Sequence, residues 1–510
     1  MTIDTPPRAD RREWIGLGVI ALPCLLYSMD LTVLNLAVPS LSADLAPSSA
    51  ELLWIIDVYG FLVAGSLITM GTLGDRIGRR RLLLIGAAAF GAASILAALS
   101  TSARMLIAAR AVLGLAGATL APSTLSLIRN MFLDPEQRAL AIGVWISSYS
   151  AGAAIGPLVG GVLLEHYWWG SVFLIGVPVM LLLLIVGPLL LPEYRDPNAG
   201  RLDVLSAALS LAAMLSVIYG LKQIAQDGLA WLPLLVIAAG VAVGAIFVRR
   251  QQQLDDPLID LRLFRAPAFA AALGAYTIAT FVAFGPYVFV GQYLQLVMGL
   301  SPLRAGLVMI PFAVTFIVGS LLTPAIVRRF QPGPVMVGGL VVAALGFLML
   351  ALVDQSRGLA LVITGFVVYS TGLAPVFTLA NDLIIGAAPP ERAGAASAIS
   401  ESGSELGGAL GIAILGSAGT AIYRAAMANV SLANIPPGDM DAARATLGGA
   451  NAVAARLPDA VGVELLSVAQ RAFTDSLQLT CAVSASLSLI TAVVAGLALR
   501  ILRSDGHSGA

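Results

Sequence analysis

Residues 53–98 read LWIIDVYGFLVAGSLITMGTLGDRIGRRRLLLIGAAAFGAASILAA. Two apolar runs flank a turn that carries Arg76, Arg79, Arg80 and Arg81. Each run falls within the range of about 17–25 residues that a transmembrane helix needs, at 1.5 Å rise per residue. Lipid offers no partner to backbone N–H and C=O groups, so such runs must bond internally as helices. The stretch is a membrane hairpin, and its charged turn belongs on the cytoplasmic side, where Lys and Arg accumulate.

The same pattern repeats along the chain. Of its 510 residues, 58% are hydrophobic and only 11% charged, with a mean hydropathy of +0.91, whereas about a quarter of a soluble domain is charged. Fourteen spans are expected, approximately at 14–39, 51–73, 82–100, 105–128, 139–164, 170–191, 203–223, 230–248, 269–297, 303–327, 333–353, 358–386, 394–423 and 476–499. The charged N-terminus, residues 1–13, leads into a first run longer than a signal-peptide core and without a clear cleavage site, so the first helix is expected to be retained. With the N-terminus inside, 20 of the 29 basic residues fall in cytoplasmic segments and eight on the other face, Lys222 among them, with Arg110 inside a span. That alternation predicts an even number of spans and two cytoplasmic termini, the second in the tail 500–510. Two segments stand out: a polar cytoplasmic linker at 249–268, and an outer loop at 424–475, where Pro-Pro-Gly and an Ala-rich pattern predict short surface helices rather than a domain.

Several function classes are excluded. Lys222, the only lysine, stands in YGLKQIAQ, so there is no phosphate-binding G-x-x-x-x-G-K-[ST] loop, and neither G-x-S-x-G nor H-E-x-x-H occurs. Cys24 and Cys481 lie in apolar runs and His166 and His507 stand apart, which argues against disulfides, a metal site or any other cofactor. Nothing suggests nucleic-acid binding. The energy for any transport must come from the membrane gradient or a partner, and the chain is expected to act as a monomer surrounded by lipid.

The informative residues are the charges inside the spans: Asp30, Asp57, Asp382, Glu401, Glu405 and one base, Arg110. Each costs several kcal/mol at membrane depth and normally faces a bundle interior or a wet cavity. Singly, each acid also has an ordinary explanation as a helix-end or snorkelling group. Together, five acids against one base predict an acidic cavity. In SAISESGSELGGALG, residues 397–411, Glu401 and Glu405 share one helical face at i,i+4. Removal from water and a like-charged neighbour both favour the protonated carboxyl, so the pair is expected to hold a proton that an arriving cation could release. Gly403, Gly407 and Gly411 form a small-residue stripe on the opposite side, suited to close helix packing. Trp54, Tyr59, Trp145 and Tyr149 are candidates for cation–π contacts, although an aromatic in a membrane helix is more often ordinary packing or an interface anchor.

Beyond these residues, GTLGDRIGRRRL (71–82) resembles the loop motif between helices 2 and 3 of the major facilitator superfamily, LIAARAVLGLAGA (106–118) its helix-4 motif, and GAAIGPLVGG (152–161) its helix-5 antiporter motif. MDLTVLNLAVP (29–39), LWIIDVYGFLVAG (53–65) and PPERAGAASAISESGSELGGALGIAILGS (389–417) are similar to the 14-helix drug/proton antiporters of that superfamily, the QacA, SmvA and LfrA type. The resemblance spans nearly the whole chain. It implies an all-α polytopic fold of two six-helix bundles, 14–191 and 269–499, with an inserted pair at 203–248, and a central site opened alternately to each face. It also implies a cytoplasmic gate at Gly71, Asp75, Arg76, Gly78, Arg79 and Arg80, and close packing and bending at Gly152, Gly156, Pro157, Gly160 and Gly161. Asp30, Asp57, Glu401 and Glu405 match acids that serve cation binding and proton coupling, with Asp382 a further candidate, and Arg110 would tune a neighbouring proton site. The implied function is proton-coupled export of lipophilic cations, including dyes and quaternary ammonium compounds. One departure is Phe316, where some members carry a helix-10 aspartate that bears on the handling of bulky dications. Two alternatives stay open: an exporter of an endogenous metabolite, lipid precursor or anionic antibiotic, and a non-transporting membrane receptor.

Overall fold

The computed structural model describes residues 8–195, 203–254, 257–259, 261–354, 358–386, 393–428, 430 and 435–507. Arg201, Arg357 and Arg392 of the charge alternation lie outside the described residues, as do parts of the linker 249–268 and the loop 424–475. The first half comprises α1 (Arg11–Leu45), α2 (Ser49–Ile77), α3 (Arg79–Ala98), α4 (Ala103–Gly117), α5 (Leu120–Met131), α6 (Pro135–His166), α7 (Ser171–Leu174) and α8 (Gly176–Leu190). An inserted pair follows, α9 (Val204–Asp227) and α10 (Trp231–Gln253). The second half holds α11 (Pro267–Gln292), α12 (Pro302–Val327), α13 (Pro332–Leu350), α14 (Gly358–Gly386) and α15 (Ala393–Ala428), then the short α16 (Pro437–Ala445) and α17 (Leu447–Ala454), and last α18 (Asp459–His507).

Among the described residues, thirteen helices are long and apolar enough to span a membrane, or fourteen with the bent α6 counted as one span; α4 and α5 form one span and α7 and α8 another. The arms of α6, Glu136–Ala153 and Ile155–His166, meet at 40°. The bend has a local cause: Pro157 has no N–H for the Ala153 carbonyl and its ring crowds that group.

Contacts within the halves repeat. α1 packs on α6 as α11 packs on α15, α2 on α4 as α12 on α14, α3 on α4 as α13 on α14, and α3 on α8 as α13 on α18. The seam between the halves is likewise reciprocal, α2 against α15 and α12 against α6. α9 packs on both α2 and α15, covering one seam, while α10 packs chiefly on α9 and keeps most of its surface exposed.

Glycines set these approaches. On α6, a Cβ at Gly152 would overlap the Leu25 carbonyl, one at Gly156 would collide with Thr32 and Met29, and one at Gly160 would strike Val33, so a four-residue stripe seats α1. On α15, Gly403, Gly407 and Gly411 meet Leu273, Thr277 and Phe281 of α11 in the same way. In lipid, where apolar side chains gain little by leaving their surroundings, such backbone proximity is what holds helices together. Gly407→Ala is therefore expected to destabilise by about 1–3 kcal/mol through overpacking. Gly408→Ala, whose new methyl would sit 3.4 Å from Phe284, should be nearly neutral. Thermal unfolding in detergent compares the two, and equal shifts would contradict the packing.

The loop expected at 424–475 differs in two ways. α15 runs on to Ala428 and α18 begins at Asp459, so the non-spanning segment is shorter. Its helices are also not surface decoration. Met440, Ala443, Leu447, Ala450 and Val453 are buried in the second-half core, Tyr423 donates to the Ala443 carbonyl at 2.8 Å, and Ser49 of α2 donates to the Ala445 carbonyl at 2.5 Å. The segment ties both halves together at this end of the bundle. Gln295 adds a bond to the Leu36 carbonyl there (3.0 Å), and the Leu303 N–H donates to Glu165 (3.3 Å).

Candidate functional site

At the opposite, arginine-rich end, Gly78 turns the chain between α2 and α3 with φ +109°, a conformation glycine adopts without strain. Asp75 pairs with Arg79 at 2.5 Å, Arg79 N–H donates to the Tyr194 carbonyl, and Arg80 donates to the Leu191 carbonyl and lies 3.6 Å from Glu193. These contacts stay within the first half. Arg76 is exposed, and Gly71 lies against Pro122 of α5.

The expected single acidic cavity is divided. Asp30 of α1 is bound at 2.6 Å by the Arg110 guanidinium, which also donates to the Ile55 (2.8 Å) and Ile56 (3.2 Å) carbonyls of α2. Arg110 is 1% exposed and lies over the Tyr59 ring, 5.0 Å from its centroid. This pair sits inside the first half, beside a space lined by Met29, Val33, Phe90 and Phe173, and not in the seam. Asp382 also departs from expectation: it is exposed, one turn from the arginine-rich end of α14, and lines no described cavity. An acid in the last turn of a membrane helix lies within reach of interfacial water.

Arg110 is not the sole intramembrane base. Lys222, expected on the outer face, is 2% exposed and donates to Asp57 Oδ1 at 2.8 Å, with its ammonium 4.0 Å from the centroid of Trp54. The sequence signal was there, a lone lysine near the end of a span. The span was drawn to end at residue 223, however, whereas α9 continues to Asp227 and carries Lys222 more than a turn inside.

Between Asp57 and Glu405 lies a cavity of about 60 Å³, lined also by Gly60, Phe284, Ser404, Gly408 and Ile412. It is formed by α2 of one half and α11 and α15 of the other. Glu405 accepts a 2.6 Å hydrogen bond from the Tyr27 hydroxyl of α1, a residue sequence reasoning passed over because its partner lies 378 positions away. Tyr27 in turn packs on Tyr59 and Tyr149, with centroids at 6.0 and 5.6 Å, and Tyr149 on Trp145 at 4.9 Å. Trp145 is anchored by Thr124 (2.9 Å). Three of the four expected aromatics thus form one cluster around Tyr27, and Trp54 serves Lys222. Two neutralised pairs, Asp30–Arg110 and Asp57–Lys222, leave Glu401 and Glu405 as the partly exposed acids of the seam. No grouping of His, Cys, Asp and Glu among the described residues could hold a metal ion.

Two repeated helical halves with an acid-lined space at their seam define a membrane transporter rather than an enzyme. The chain belongs to the Major Facilitator Superfamily, whose model matches residues 20–412, and is a multi-pass inner-membrane protein. It is 46% identical to the multidrug efflux pump LfrA of Mycolicibacterium smegmatis over 97% of both chains. It is 36% identical to the methyl viologen resistance protein SmvA of Salmonella typhimurium, over 94% of this chain and 97% of that one. The tetracenomycin C resistance and export protein of Streptomyces glaucescens is 33% identical over 95% and 91%. In fold it resembles a bacterial homologue of the human lysosomal transporter Spinster in an inward-facing, unoccupied conformation, with a TM-score of 0.70 and 19% identity over 98% of this chain and 99% of that one.

Proposed function

We propose that the protein is a proton-coupled antiporter that exports lipophilic cationic drugs, dyes and quaternary ammonium compounds by alternating access. The observation that carries this is Glu405, an acid held in the seam by Tyr27 beside a cavity formed by both halves. Relatives named as a multidrug efflux pump and a methyl viologen resistance protein support the export of foreign compounds.

In the proposed cycle the cavity is entered from the arginine-rich, cytoplasmic end, since the contacts at the other end tie the halves together. A lipophilic monocation pairs with Glu405 and releases one proton from the Glu401/Glu405 pair, because one proton and one positive charge compensate a carboxylate equally. The aromatic cluster around Tyr27 supplies ring faces to the cation. The halves then rock about their seam, α2 against α15 and α6 against α12, the cation leaves outward, and protons reload the acids. The gradient suffices as a driving force, since one charge moved through 100 mV is worth about 2.3 kcal/mol. With only Glu401 and Glu405 uncompensated, the site favours monovalent cations over anions, which argues against an exporter of anionic metabolites.

The test is proton release from the purified protein on adding tetraphenylphosphonium. Release saturating with the cation is expected, with none for an anionic compound of similar size. Cation binding without any proton release would overturn the coupling.

A further inference from the structure

Lys222 belongs to the inserted helix pair, outside both six-helix halves, yet it reaches the seam. Asp57 and Trp54 around it form a carboxylate beside an aromatic face, the chemistry that recognises an organic cation. Asp57 Oδ1 is taken by Lys222, while Oδ2 is buried without a hydrogen-bond partner among the described residues, and Asp57 borders the cavity that also holds Glu405. Ile218 of the same helix packs with Phe61 of α2 and with Ala409 and Ala413 of α15, so α9 bridges both halves where they meet.

We propose that Lys222 is a tethered cation that occupies a second cation subsite, Asp57 with Trp54, and that an incoming lipophilic cation displaces it. This rests on the reading of the protein as a cation exporter. Exchange of one cation for another keeps Asp57 compensated throughout, avoiding a buried carboxylate without a partner, which is the costly state. The displaced side chain has somewhere to go. Lys222 lies five residues before the end of α9, about 7 Å at 1.5 Å per residue, and a lysine stem can carry its ammonium to the interface over that distance. Departure of Lys222 also removes the ionic link between α9 and α2, so occupancy of the subsite loosens the inserted pair from the seam.

Lys222→Met removes the internal competitor and keeps the bulk of the side chain. The dissociation constant of tetraphenylphosphonium for the purified protein is expected to fall by about tenfold, and Asp57→Asn combined with Lys222→Met should abolish that gain. An unchanged or weaker affinity in folded Lys222→Met would overturn the proposal. A second measurement needs no variant. Because Lys222 is the only lysine, amine acylation read by peptide mass spectrometry reports on it alone, apart from the N-terminus. Tetraphenylphosphonium should raise its labelling several-fold, and unchanged or reduced labelling would make the pair a fixed structural tie. If the wild-type protein binds no tetraphenylphosphonium at all, the exporter reading fails with it, whereas binding without any Lys222 effect overturns only this inference.

Discussion

Glu405→Gln is expected to abolish uncoupler-sensitive ethidium efflux and cation-driven proton release while leaving the fold intact. Glutamine has the same shape and still accepts the Tyr27 hydroxyl bond, seen at 2.6 Å in the structure. It can neither take up a proton nor balance a cation. Losing a hydrogen bond or ion contact to a charged group costs about 3 kcal/mol at the upper end, which corresponds to ~150-fold in cation affinity. Coupling should vanish altogether, since the group that exchanges the proton is gone. The measurement is ethidium efflux from everted vesicles alongside thermal unfolding of the purified variant. Efflux within a few-fold of wild type, with an unaltered melting temperature, would remove Glu405 from the mechanism and shift the burden to Glu401. Tyr27→Phe offers a graded companion: it leaves the acid in place and removes only the donor, so it should change cation affinity without eliminating proton release.

The second large effect concerns stability. Arg110→Met leaves Asp30 buried without its counter-ion, and Asp30→Asn leaves Arg110 in the same position at 1% exposure. Each single substitution is expected to cost about 3–5 kcal/mol, the usual penalty of an uncompensated buried charge. The double substitution should cost clearly less than the two together, because it removes both charges at once and leaves only the Ile55 and Ile56 carbonyls to be satisfied within α2. Denaturation midpoints in detergent for the four members of this cycle supply the check. Additive losses would mean that the two side chains act independently and that the 2.6 Å contact contributes little. The pair explains why loss of transport in an Asp30 variant would not by itself identify a proton carrier: a bundle weakened at α1 and α4 fails before coupling is tested.

The placement of the inserted pair carries a mechanistic consequence. α9 touches both α2 and α15 and covers the seam that the proposed alternating access would open and close, while α10 faces mainly outward. A two-helix insertion that merely lengthened the chain would have no reason to bury an ion pair with the first half. The Asp57–Lys222 contact, with Trp54 beneath the ammonium, places a charged residue of the insertion beside the cavity of the exporter proposed above.

Much of this protein was legible before any coordinates. Spans, hairpins and the basic turn at 71–82 follow from hydropathy and charge, because a bilayer imposes the same demand on every crossing segment wherever its neighbours lie. The seating face of α15 was legible for a similar reason. Gly403, Gly407 and Gly411 recur every four residues, and helical geometry alone places them opposite Glu401 and Glu405. Asp30, Asp57, Glu401 and Glu405 were equally plain, since an ionisable residue stands out in an apolar run, whereas Asp382 sits near a helix end and is exposed.

What tertiary structure alone decided was which charges meet. Asp30 finds Arg110 across 80 positions, Asp57 finds Lys222 across 165, and Glu405 finds Tyr27 across 378. Periodicity fixes the phase of a side chain on its own helix but not which helix faces it. A lysine one residue from the expected end of a span reads as facing water, whereas α9 continues to Asp227 and brings Lys222 to the seam. An acid in a membrane is costly until it has a partner, so its role depends on the electrostatic company it keeps. That company is set by helix packing: two acids are neutralised in pairs, a third is exposed at a helix end, and Glu401 and Glu405 remain at the seam.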